Sequence, residues 1–63
     1  MNEVKSFLEY MAEPWLYTNI VPNLPKDVLR QKLQYYAEKN FPNYKKLDIE
    51  IEVEKVINKI TWR

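Results

Sequence analysis

Apolar positions in the first dozen residues recur at helical spacing: Val4, Phe7, Leu8 and Met11 form one stripe. Residues three and four apart share a helix face, so the pattern predicts a short helix over residues 3–12. Asn2 stands where an N-cap belongs, and Glu3 where the positive end of the helix dipole favours a carboxylate. Pro14 ends the element, because the residue before a proline is biased away from helix.

A second stripe, Leu29, Leu33, Tyr36 and Ala37 with Val28 at its flank, predicts a helix over residues 25–40. Pro25 suits the first helical position and Asp27 the first turn. Asn40 is expected to close the helix in the left-handed conformation, with Pro42 two residues later. Residues 14–24 between the stripes are apolar but bounded by prolines. They read as a short helical piece, with Pro14 in its first turn and Trp15, Leu16 and Ile20 facing inward, or as an extended connection.

Residues 47–62 support two readings. Leu47, Ile49, Ile51 and Val53 alternate with Asp48, Glu50, Glu52 and Glu54, which is the period of a half-buried strand. Ile49, Val53, Val56, Ile57 and Ile60 also fall on one helical face. In that case Asp48 caps the helix, acids fill its first turns, and Lys55, Lys59 and Arg63 stand near its end, as the dipole favours. The alternation stops after Val53, and two strands alone are marginal. Helix is the reading adopted, with Ile51 the residue that fits it worst. The expected fold is all-α, a small three-helix domain occupying residues 1–63 as a single unit. The alternative is an α+β domain with a two-stranded sheet pairing residues 15–21 with 47–53.

Composition changes this picture in two ways. With 63 residues and neither cysteine nor histidine, disulfides and Cys/His zinc sites are excluded, although small scaffolds usually need such a staple. Nine aromatic residues offer another source of stability, since each buries about 150–250 Å². An aromatic-rich core is therefore expected, with Leu29, Leu33, Tyr36, Phe7, Leu8 and Val53 at its centre. Three helices cannot easily enclose nine rings, so some should face solvent.

The net charge of +1 hides a segregated distribution. Lys26, Arg30, Lys32, Lys39, Lys45 and Lys46 outnumber Asp27 and Glu38 in residues 26–46, and an acidic run follows in residues 47–54. No apolar run approaches the roughly 18 residues of a membrane span, so no membrane partner is expected. No signal peptide is visible at the N-terminus, and the cytoplasm is the default compartment. The abundance of Asn, Lys, Ile, Tyr and Glu suits an AT-rich genome, such as that of a low-GC bacterium, phage or mobile element.

Reactive chemistry is scarce. Ser6 is the only serine, there is no glycine for a phosphate-cradling loop, and the regularly spaced acids of residues 48–54 do not suggest a pocket. No enzyme activity, no cofactor and no metal site is expected. The sequence points instead to a small protein-binding module, a regulator or stoichiometric inhibitor, acting through an exposed aromatic and basic surface. Tyr17, Arg30, Tyr35, Tyr44, Lys45, Lys46 and Trp62 are its candidate residues, because interface hot spots favour aromatic side chains and arginine. The alternative is a nucleic-acid-binding domain, helix-turn-helix-like, using the basic block 26–46. A homo-oligomer is a third reading.

Overall fold

The computed structural model describes residues 2–16, 22–60 and 62. It is all-helical among those residues, with the order α1 (Asn2–Met11), α2 (Glu13–Leu16), α3 (Lys26–Asn40) and α4 (Lys46–Lys59). Three long helices form the body, and α2 is a single turn carrying Pro14 near its start. Residues 47–53 lie within α4, which overturns the two-stranded alternative.

α1 packs against both α3 and α4, and those two pack against each other. Each contributes a helical stripe to one apolar cluster: Val4 and Leu8, continued by Ala12 just beyond α1; Leu29, Leu33 and Ala37; Ile49, Val53, Val56 and Ile57, continued by Ile60 at the C-cap of α4. Among the described residues the buried cluster is made of aliphatic side chains and alanine, with no ring of an aromatic residue fully buried, so the expectation of an aromatic-rich core is corrected. Small and branched aliphatic groups let three helices approach closely. The larger rings Phe7, Trp15, Phe41, Tyr44 and Trp62 pack around the cluster while keeping an edge in water. Tyr36, expected at the centre, is 40% exposed, because it stands at the margin of the Leu29–Leu33–Ala37 stripe.

The rings at the periphery lock the ends of the bundle. Phe7 meets Phe41 edge-to-face at 5.5 Å, and Phe41 meets Tyr44 likewise at 5.8 Å. The Tyr44 hydroxyl donates to the Glu3 carboxylate, tying the α3–α4 loop to α1. At the other end Lys59 Nζ donates to Glu9 at 2.8 Å, and Trp62 Nε1 donates to the Ile57 carbonyl at 3.1 Å.

The helix ends differ in detail from the sequence reading. Asn40 remains helical, and its side-chain amide donates to the Tyr36 carbonyl at 2.8 Å. Phe41 is the C-cap, with φ −130° and its N–H on Ala37, so no left-handed residue is needed there. α4 starts at Lys46 with Lys45 as N-cap and no side-chain cap bond. Asp48 sits in the first turn, where it acts through the dipole. Both Ile20 and Tyr17 lie outside the described residues.

Candidate docking surface

α3 has three sides. One carries Leu29, Leu33 and Ala37 into the core. A second faces α4: the Arg30 Nε donates to Glu54 at 2.7 Å, and Gln34 Nε2 reaches the Lys46 carbonyl at 3.4 Å. As the α3 number falls the α4 number rises, so the two helices run antiparallel. Between them lies an open groove of about 500 Å³, with the Val53 side chain in its floor. Arg30, Gln34 and Glu38 form one wall, and Lys46, Glu50 and Glu54 the other.

The third side of α3 is a ridge of exposed residues: Val28, Lys32, Tyr35, Tyr36 and Lys39. The steps of three and four keep them within one sector of the helix. Tyr35 is 56% exposed. Its ring stands edge-to-face with Tyr36 at 5.5 Å, and Lys39 Nζ lies 5.3 Å from its centre. That cation–π contact holds the ring upright while leaving most of it in water. The acids of α3 are turned elsewhere: Asp27 pairs with Arg30, and Glu38 accepts from Gln34 at 2.7 Å. The ridge is therefore basic and aromatic without a carboxylate of its own helix. Tyr35 belongs to both features, since it also lines the groove.

The structure brings three of the sequence candidates together: Arg30, Tyr35 and Lys46 share the groove. Lys45 is exposed beside them at the start of α4. Tyr44 and Trp62 are half-buried and are held by the structural hydrogen bonds described above, so neither ring stands out from the surface as Tyr35 does. Arg30 is engaged by both Glu54 and Asp27, and these bonds, the one to Glu54 foremost, raise its pKa further. Sequence reasoning passed over Tyr36 and Lys39 as site residues. Their spacing from Tyr35 and Lys32 was the available signal, and it was masked by assigning Tyr36 to the core.

Among the described residues no group of three His, Cys, Asp or Glu side chains gathers as a metal site. None of the described helices is long and apolar enough to cross a membrane. Comparison of the chain with protein-family models, with curated proteins and with solved structures finds no match.

Proposed function

We propose that this domain is a protein-binding module, acting as a regulator or stoichiometric inhibitor, whose docking surface is the α3 ridge. The observation that carries this reading is the exposure of Tyr35 within a set of lysines and apolar side chains that includes no acid of α3. A ring held in place before binding loses little entropy on docking, and such rings supply the dominant energy of many interfaces. Lys32 and Lys39 favour a partner surface that is acidic at its rim and apolar at its centre.

Nucleic-acid binding is the second reading, favoured by the same lysines and tyrosines, which could meet phosphates and stack on bases. Two features weigh against it. α3 and α4 lie side by side and antiparallel, whereas a helix-turn-helix joins its helices at about 90–120°. The exposed side of α4 also carries Glu50 and Glu54, which repel phosphates.

Affinity capture from the source cell, with and without nuclease, separates the two. The expected result is a protein retained after nuclease treatment and lost with Tyr35→Ala. That truncation should weaken binding by about 30-fold or more, the effect of losing a hot spot of roughly 2 kcal/mol. Its effect on folding should stay within about 0.5 kcal/mol, because the ring is largely solvated. Retention of nucleic acid alone, lost with Lys45→Glu plus Lys46→Glu, would establish the other reading.

A further inference from the structure

Tyr10 is the most exposed ring among the described residues, at 72%, and no contact described above uses it. Glu3 precedes it by seven residues on the same side of α1, and Glu13 follows it by three, at the start of α2. Both carboxylates are exposed. The side of α1 turned to α4 is marked by Glu9, which pairs with Lys59. Tyr10 and Glu3 stand about 100–120° further round the helix. This strip, a ring between two carboxylates, is the charge reverse of the α3 ridge, where Tyr35 and Tyr36 stand between Lys32 and Lys39. Among the described residues neither Lys32 nor Glu13 makes an ion pair.

The fold sets the strip beside the ridge. α1 begins at the C-terminal end of α3, where Phe7 touches Phe41 and Glu3 accepts from Tyr44. It then runs back along α3, antiparallel to it. Arg30 and Gln34 face α4, so α1 lies toward the other side of α3, which is the side of the ridge. Strip and ridge therefore share one face of the bundle, acidic along α1 and basic along α3.

We infer that two copies of this chain pair through this face about a two-fold axis parallel to the helices, the ridge of each against the Tyr10 strip of the other. The inference rests on the α3 ridge being a docking surface, and it names a second copy as an occupant. A two-fold interface is self-complementary, so each contact is made twice. An axis parallel to the helices exchanges α1 and α3 across the interface but keeps every residue at its own height. Phe7 and Phe41 are in contact and so nearly level. Counting about 1.5 Å per residue from that level, Tyr10 lies within about 5 Å in height of Tyr35 and Tyr36. By the same count Glu13 lies within about 5 Å of Lys32, and Glu3 stands beyond Lys39 toward the Phe41 end. Rings therefore meet rings and carboxylates meet ammonium groups. A two-fold axis across the helices would instead set α3 on α3, with its lysines facing lysines, and like charges oppose that arrangement.

The face is small, so the association should be weak and driven by concentration. Sedimentation equilibrium from about 10 μM to about 1 mM should show a shift from monomer to dimer. Tyr10→Ala should leave the circular dichroism spectrum intact and abolish the shift. Lys32→Glu and Glu13→Lys each place like charges opposite one another twice, and each alone should weaken dimerisation roughly tenfold. Mixed in equal amounts, the two variants should pair as well as the parent, because each then meets the opposite charge at both contacts. Tyr10→Ala leaves the ridge untouched, so capture of another protein partner should persist in that variant. Loss of self-association and loss of partner capture are thereby read separately. A monomeric mass at the highest concentration would overturn the inference. So would a dimer that survives Tyr10→Ala, a mixture that stays monomeric, or a dimer strengthened by Lys32→Glu alone, as pairing of α3 on α3 requires.

Discussion

At the scale of single residues, the contacts that hold the chain ends carry a pH signature. The Lys59 ammonium donates to Glu9 and holds its carboxyl below the ordinary glutamate range. A carboxylate with a lowered pKa in the folded state adds stability above its unfolded pKa. That contribution fades as the pH falls through the folded value. Wild-type protein should therefore lose melting temperature on acidification more steeply than Glu9→Gln, and the two should converge in strong acid. Thermal melts followed by circular dichroism across the acid range measure this. The pair is exposed, so water and salt weaken it, and the difference should shrink in high salt.

At the scale of elements, the two faces of α4 make opposite predictions for one substitution. Ile49 is fully buried and Ile51 is about half exposed. Ile49→Lys places an ammonium among aliphatic side chains with no partner, a cost beyond the usual range of point mutations. Ile51→Lys leaves the charge in water, with a change within about 0.5 kcal/mol. Urea denaturation of the two variants provides the comparison. The same pair of faces explains why residues 47–53 resemble a strand. Ile49 and Val53 serve the core while Leu47 and Ile51 serve the outer side, and interleaving two helical faces produces alternation. Only the longer pattern, through Val56, Ile57 and Ile60, reveals the helix. The boundaries of α1, α3 and α4 were thus legible from apolar spacing to within a residue or so at their starts. The burial of individual rings was not. Periodicity gives the direction of a side chain from its helix, whereas the burial of Tyr36, Tyr44 or Trp62 depends on where neighbouring helices end. Of the candidate surface, Tyr35 and its basic surroundings could be read from the chain. The groove could not, because it needs the antiparallel placement of α3 beside α4.

At the scale of the whole molecule, small size makes every core contact count. The Cα trace measures 33 × 20 × 15 Å, so each helix keeps a side in solvent and the buried cluster is only one layer deep. A chain of this length has a total stability of roughly 3–9 kcal/mol, at about 0.05–0.15 kcal/mol per residue. Leu33 sits in the middle of α3 and is 2% exposed. Leu33→Ala removes its contacts and leaves a cavity that rigid helices cannot close, at a cost of about 2–5 kcal/mol. The unfolding entropy of so short a chain is small, and each kcal/mol moves the melting temperature by about 8 °C. The variant should therefore melt at least about 15 °C below the parent, and the more costly end of the range leaves much of it unfolded at room temperature. Calorimetry or circular dichroism decides the matter. A melting point within a few degrees of the parent would mean that stability does not reside in the aliphatic cluster joining the three long helices.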